Sequence, residues 1–239
     1  MKPQLHIHRS EELLESVARR VAGVLQRAEA PSIVLAGGRT PRALYQKMAM
    51  MPYRDTVPWS RLRVFWGDER CVGPADPQSN FGMAHEALLA HVRVGEIFRM
   101  EGELDPEEAA ERYERAIRQT FSLGSREWPR FSLVLLGMGE DGHTASLFPG
   151  SEVLEERERI VRPVGVPQHG VQRITLTVPA ITHAADVLVL VTGRAKAGVV
   201  RTVLETHDRS FPISLITPTS GRLWWYLDDE AASLLKGVT

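Results

Sequence analysis

A glycine-rich turn at residues 137–144 carries the residue types of a general base. It follows the apolar run Leu133–Leu136, which predicts a buried strand, and it contains Asp141 and His143. Histidine exchanges protons near neutral pH, and a nearby carboxylate can orient its ring or stabilise its charged form. A lone histidine in a turn is more often structural or solvent-exposed. Its position directly after a strand favours the catalytic interpretation.

The same turn offers an alternative, because it matches G-x-G-x-x-G at Gly137, Gly139 and Gly142. A dinucleotide site needs a full crossover helix after this motif, whereas Pro149-Gly150 would stop a helix after about two turns. No clean strand ending in Asp or Glu follows about 20 residues later. The sequence therefore disfavours a dinucleotide.

A second candidate site is the loop G-G-R-T-P at residues 37–41. Thr40 and Pro41 supply an N-cap and a first-turn proline, so the loop opens a helix whose free N–H groups and dipole favour an anion such as phosphate. The spacing of a P-loop is absent. Lys196 follows a later strand and could add a positive charge to the same anion. The structural alternatives are a capped turn and a solvated lysine.

A third candidate is the charged triplet Asp68, Glu69 and Arg70, which follows the apolar run ending at Trp66. Carboxylates can accept substrate hydroxyls, and an arginine can contact an anion. The alternative is a cluster of surface ion pairs. His6 and His8 alternate, as residues on one face of a strand do.

Apolar runs and helical periodicity alternate along the chain and predict the elements that position these loops. Buried strands are predicted at Ile33–Ala36, Leu62–Trp66, Ile97–Met100, Leu133–Leu136, Ile174–Val178, Val187–Val191, Pro212–Ile216 and Trp224–Leu227. Helices are predicted from Ser10 as N-cap, from Thr40 to about Met50, from Asn80 to His91 with Ser79 as N-cap, from Pro106 to Gln119, and from Lys196 to Leu204. We predict an α/β fold with a mostly parallel central sheet and helices on both faces, a Rossmann-like open sheet.

Open parallel sheets bind ligands beyond the carboxyl ends of their strands. Four predicted strands end in loops that combine glycine with polar or ionisable residues, at 37–41, 67–70, 137–144 and 192–196. One such loop would be ordinary. Four of them predict a shared crevice.

The composition excludes several classes of protein. The chain has 239 residues, 43% of them hydrophobic, and a formal net charge of -1. We predict one globular domain over 1–239, with neither nucleic acid nor membrane as a partner. Cys71 is the only cysteine, which excludes an intrachain disulfide and favours a reducing, cytoplasmic location. The residue spacings of serine-nucleophile and zinc-protease motifs are absent.

Six short blocks, in family order along the chain, resemble the 6-phosphogluconolactonase family. They are A-G-G-R-T-P at 36–41, W-G-D-E-R at 66–70, S-N at 79–80, G-M-G-E-D-G-H-T-A-S-L-F-P-G at 137–150, R-I-T-L-T at 173–177 and T-G-R-A-K-A at 192–197. The block around His143 is highly specific. The chain departs from the family at Arg39, where a small hydroxyl residue is usual.

Glucosamine-6-phosphate isomerase/deaminase belongs to the same superfamily and carries an Asn-Glu-Pro segment after D-G-H. This chain has Leu147-Phe148-Pro149 there, without the glutamate, so the resemblance favours a lactonase. A sugar-phosphate isomerase with Asp68 or Glu69 as base, and a regulator that only binds sugar phosphates, stay as rival hypotheses.

The resemblance implies hydrolysis of 6-phospho-D-glucono-1,5-lactone to 6-phosphogluconate, in the oxidative pentose phosphate pathway. His143 would take a proton from water with support from Asp141, and Arg70 or the backbone near Gly139 would stabilise the oxyanion. Asp68 and Glu69 would meet sugar hydroxyls. The phosphate loop and its basic partners are Gly37, Gly38, Arg39, Thr40, Arg173 and Lys196. A strained ester needs no metal or organic cofactor, and a monomer and a small homo-oligomer both stay open.

Overall fold

The computed structural model describes residues 3–165, 170–206 and 208–236, and a parallel sheet lies at its centre. Its strands are β1 (Gln4–His8), β2 (Ser32–Leu35), β3 (Arg63–Trp66), β4 (Asp68–Arg70), β5 (Glu96–Ile97), β6 (Leu133–Leu136), β7 (Val161–Val164), β8 (Arg173–Leu176), β9 (Asp186–Val191) and β10 (Arg222–Asp228). The central sheet has the order β1-β10-β9-β6-β2-β3-β5, and all its neighbouring strands are parallel. The predicted α/β class is confirmed.

Helices cover both faces of this sheet. They are α1 (Ser10–Arg27), α2 (Arg39–Met48), α3 (Tyr53–Thr56), α4 (Asn80–Ala87), α5 (Pro106–Phe121), α6 (Val178–Thr182) and α7 (Ala197–Thr206). Neighbouring residues of one strand enter different cores. Val34 belongs to the core that includes residues of α5, α6 and α7, and Leu35 belongs to the core that includes residues of α1, α2 and α4. Both faces of a strand are thus buried, which explains its continuous apolar sequence. None of the helices in the described ranges is long and apolar enough to cross a membrane.

The helix starts test three predicted caps. Ser79 accepts a hydrogen bond from the Gly82 N–H at 3.0 Å, so its predicted N-cap role is confirmed. Ser10 is the first helical residue of α1, and its hydroxyl bonds to Asp229 instead. The predicted Thr40 cap is also wrong, because α2 begins at Arg39 after Gly38, whose φ of 102° suits glycine. The Thr40 hydroxyl is 2.7 Å from that of Thr192.

A small antiparallel sheet, in the order β4-β8-β7, accompanies the central one, and the strand predictions need several corrections. The segment predicted at Ile174–Val178 is β8 and belongs to this sheet. Strands β4 and β7 were not predicted, because charged residues and a proline interrupt their apolar pattern. The strand predicted at Pro212–Ile216 is a 3₁₀ turn over Pro212–Leu215, and the one predicted at Ile97–Met100 is reduced to β5.

The edge strand β1 carries an aromatic cluster beneath α1. The rings of His6 and His8 stack on Tyr226, and the Arg20 guanidinium lies 3.9 Å from the centre of the Trp224 ring. Both tryptophans of the 224–226 segment and Tyr226 are buried in the core, as the apolar sequence of the predicted strand requires. Burial, the Arg20 charge and His8 together lower the pKa of His6.

This cluster predicts that the protein loses stability in mild acid. The unfolded chain protonates His6 near its ordinary value of 6.5, whereas the folded protein protonates it only at lower pH. The unfolded state therefore binds more protons, so this contribution to stability is complete above the ordinary pKa of 6.5 and is lost as the pH falls from there towards the lowered pKa of the folded state. We expect the urea midpoint of His6→Gln to depend less on pH over this window than that of the wild type. The exposed His91→Gln is the control, and an unchanged slope for His6→Gln would contradict the prediction.

Candidate active site

A cavity of about 190 Å³ opens at the carboxyl ends of β2, β3, β6 and β9. The structure brings together there the four loops that the sequence pointed to. The predicted site residues among its lining are Gly37, Gly38, Arg39, Thr40, Asp68, Arg70, Gly139, His143, Arg173 and Lys196. Such a position is where open parallel sheets hold their ligands.

His143 and Asp141 form a hydrogen-bonded pair at this cavity. The Nδ1 atom of His143 lies 2.5 Å from Oδ1 of Asp141, which also accepts the backbone N–H of His143 at 3.1 Å. Partial burial alone would raise the pKa of Asp141, but the bonds from the backbone and ring of His143 outweigh it and hold that pKa below its usual value. An ionised carboxylate only accepts, so Nδ1 donates to Asp141, and in the neutral form of the ring the lone pair then lies on Nε2, which can act as a base.

Gly139 makes room for this pair. Its N–H donates to the carbonyl of His143 at 2.9 Å, which closes the turn. A β-carbon at this position would lie 2.2 Å from two atoms of the His143 ring and 2.7 Å from Oδ1 of Asp141. Only glycine therefore fits while the ring stays in place.

Arg70 and Arg173 are paired across β4 and β8 and form one cationic side of the cavity. The Nε atoms of both guanidinium groups are buried without a hydrogen-bond partner among the described residues. Burial and the neighbouring charge of Arg70 lower the pKa of Arg173, although Asp68 and Glu69 oppose this. Two like charges held together with unused donors favour an anion between them.

A second group of cations lies where α2 begins. Lys196 and Arg39 both line the cavity, and neither forms an ion pair within the described ranges. Burial lowers the pKa of Lys196, and Arg39 adds to this effect while Glu140 and Asp228 oppose it. This side of the cavity is therefore also suited to an anion.

The two carboxylates of β4 have different surroundings, because successive strand residues point to opposite faces. Asp68 lines the cavity together with Arg70. Glu69 is 1% exposed and is absent from the lining. Its carboxylate accepts the N–H groups of Asn80 and Phe81 at the start of α4, and burial raises its pKa despite these bonds. The predicted contact of Glu69 with a sugar hydroxyl does not fit this position, and Glu69 instead anchors α4.

Comparisons with known proteins agree with this geometry. A family model described as "Glucosamine-6-phosphate isomerases/6-phosphogluconolactonase" matches residues 8–225. A 6-phosphogluconolactonase of Synechocystis is 37% identical over 231 residues, which cover 95% of this chain and 93% of that protein. The chain belongs to the 6-phosphogluconolactonase family.

Other members of the family support this assignment. The structure of 6-phosphogluconolactonase from Trypanosoma cruzi has a TM-score of 0.86 with this chain at 29% identity, covering 98% of this chain and 97% of that one. A rice protein named as a probable chloroplastic 6-phosphogluconolactonase is 35% identical and covers 95% of this chain and 74% of its own length. Because this relative is chloroplastic, a cytoplasmic location for the present chain stays a prediction.

Two polar residues near the site, Asn80 and Ser146, were not assigned a role in the sequence analysis. Asn80 donates to the carbonyl and carboxylate of Asp68, at 2.9 and 3.2 Å, and Ser146 donates to the other carboxylate oxygen at 2.7 Å. Both lie inside the family blocks at 79–80 and 137–150. Ser146 lies 78 positions from Asp68 in the sequence and Asn80 lies 12 positions from it, and neither separation matches a repeat of one helix or strand that residue spacing could reveal.

Proposed function

We propose that the chain hydrolyses 6-phospho-D-glucono-1,5-lactone to 6-phosphogluconate, a step of the oxidative pentose phosphate pathway, with His143 as the general base. The observation that carries this proposal is the His143–Asp141 pair, in which His143 lines a cavity with two cationic sides. Membership of the 6-phosphogluconolactonase family supports the substrate. A cytoplasmic location is part of the proposal and rests on the single cysteine alone.

The reaction consumes one water molecule. Neutral His143 takes a proton from water at Nε2, and the water oxygen attacks the carbonyl carbon of the lactone. The oxyanion that forms is stabilised by Arg70 or by backbone N–H groups near Gly139. The tetrahedral intermediate then collapses, the bond between this carbon and the ring oxygen breaks, and the proton from His143 passes to the departing oxygen. The products are a carboxylic acid and a free hydroxyl on the same chain.

The substrate phosphate is assigned to the cations and free N–H groups at the start of α2. Lys196, Arg39 and Thr40 lie there, and Gly37 and Gly38 let the backbone approach closely. Arg173 is kept as a further phosphate contact, while its neighbour Arg70 stays a candidate for the oxyanion. The chemistry needs no metal, because the ester is already strained and only a water molecule must be activated.

The decisive experiment measures acid release from freshly generated 6-phosphogluconolactone with and without protein. The lactone opens spontaneously, so the rate without protein is subtracted. Acceleration by the wild type supports the proposal. If the protein gives no acceleration but converts fructose 6-phosphate and ammonia, the isomerase/deaminase hypothesis replaces it.

The Lys196 assignment predicts weaker phosphate binding at high pH. Because its pKa is lowered, Lys196 loses its charge at a lower pH than an ordinary lysine, and the neutral amine attracts a phosphate dianion less. The Kd of the stable product 6-phosphogluconate, measured by calorimetry from about pH 7 to about pH 10, should therefore rise. Lys196→Arg should flatten this rise, since a guanidinium stays protonated, and Lys196→Ala should raise the Kd about 10- to 100-fold at neutral pH. The same pH dependence in wild type and Lys196→Arg would contradict the assignment.

A further inference from the structure

Ser146 makes a buried polar contact between two loops of the site. The residue is fully buried, and its hydroxyl donates to Oδ2 of Asp68 at 2.7 Å. Asp68 is itself only 6% exposed and lies on β4, far from Ser146 in the sequence. A buried hydroxyl needs a partner, and a hydrogen bond to an ionised carboxylate is among the stronger kinds.

The backbone holds Ser146 in place independently of Asp68. Its N–H donates to the hydroxyl of Thr175 at 3.3 Å, and Thr144 donates to the carbonyl of Gly137 at 2.8 Å. Between them, Ala145 has a φ of 49°, a left-handed conformation that costs a residue with a side chain about 1 kcal/mol. Unfavourable backbone of this kind persists where the surroundings require it. The backbone therefore fixes the position of the Ser146 hydroxyl before any substrate binds.

The contacts of Asp68 leave part of its carboxylate for a ligand. Oδ2 accepts from Ser146 and lies 3.9 Å from a nitrogen of Arg173, and Oδ1 accepts from Asn80 at 3.2 Å. An ionised carboxylate offers about four acceptor positions. Asp68 lines the cavity, so the unused positions can accept hydroxyl groups of a bound sugar.

We propose that Ser146 is a positioning residue, whose hydroxyl orients the Asp68 carboxylate so that Asp68 binds the sugar hydroxyls of the substrate. The inference rests on the proposed lactonase function. Ser146 follows His143 by three positions on the same loop. One short loop thus carries the general base His143 and also orients Asp68, the acceptor of the sugar hydroxyls, through the hydrogen bond from Ser146.

The first test compares Ser146→Ala with the wild type in lactone hydrolysis. KM should rise about 10-fold or more, while kcat changes less than about threefold, because the lost bond orients a binding group and leaves His143 untouched. Ser214→Ala is the matched control: its hydroxyl is also buried but has no partner in the described residues, so its KM should equal that of the wild type. A lower Tm of Ser146→Ala with unchanged KM would overturn the inference, since it would show a merely structural role.

A double-mutant cycle tests whether Ser146 acts through Asp68. In the Asp68→Asn background, Ser146→Ala should change kcat/KM by less than about twofold further, and additive losses would overturn the inference. If Ser146→Ala fails to fold, Ser146→Cys replaces it, because a thiol of similar size is a weak donor. A wild-type KM for Ser146→Cys would then overturn the inference.

The experiment separates this inference from the function on which it rests. A wild type that does not accelerate lactone opening refutes the proposed function. The cycle is then measured by the Kd of 6-phosphogluconate, where non-additive losses support the role of Ser146 and additive losses refute it.

Discussion

Replacement of His143 by alanine should lower kcat for lactone hydrolysis by about 10²–10⁴, the usual contribution of general acid–base catalysis. The variant loses the nitrogen that takes the proton from water, whereas the cations on both sides of the cavity remain. KM should therefore change much less than kcat. The measurement is acid release from freshly generated lactone, corrected for spontaneous opening.

Two further variants test whether a loss of kcat in His143→Ala is specific to this histidine and to its pairing with Asp141. His85 is exposed on α4, outside the cavity, so His85→Ala should retain the wild-type kcat. Asp141→Asn should lower kcat as well, because an amide can offer its N–H to Nδ1 and so favour the tautomer in which Nε2 carries the proton. An unchanged kcat in His143→Ala would keep the lactonase but remove His143 as its base.

Substitution of Gly139 by alanine should be nearly as damaging, although it removes no reacting group. The added methyl group would lie 2.2 Å from the His143 ring, so the ring must leave its position beside Asp141. A displacement of about 1 Å in a catalytic group can cost about 10² in rate. We expect a fall of about that size in kcat, with binding of 6-phosphogluconate largely kept.

The matched control for this variant is Gly198→Ala. Gly198 lies in α7, and a β-carbon there would meet no atom within 4 Å, so activity should stay at the wild-type level. If Gly139→Ala keeps full kcat, either the turn adapts easily or His143 is not the base. The His143→Ala result decides between these two explanations.

The strands of the central sheet could be predicted because each is marked by the apolar residues of its own short segment. Runs such as Leu133–Leu136 are apolar throughout, since both of their faces are buried, and a glycine-containing loop follows each strand that ends at the cavity. The chemistry at strand ends therefore pointed to His143, Lys196 and the loop before α2 without any knowledge of the pairing order.

The small sheet, and the different positions that it gives to Asp68 and Glu69, could not be predicted in this way. Strand β4 is Asp-Glu-Arg, whose pairing with β8 depends on residues about a hundred positions later in the chain. Without that strand, Asp68 and Glu69 looked equivalent. Alternation along β4 separates them, with Asp68 at the cavity and Glu69 under α4. The contact of Ser146 with Asp68 was missed for the same reason, because it joins segments 78 positions apart.

The order of strands in the central sheet also limits the order in which the protein can fold. β1 has β10 as its only neighbour in the described structure, and β10 follows every other described strand in the chain. During synthesis β1 is therefore made long before β10, the strand with which it pairs. Contacts of such large sequence separation form slowly, because the entropy of closing the loop must be overcome before the strands pair. Until β10 is made, β1 lacks the strand with which it pairs, so this edge of the sheet is completed only after β10 has formed.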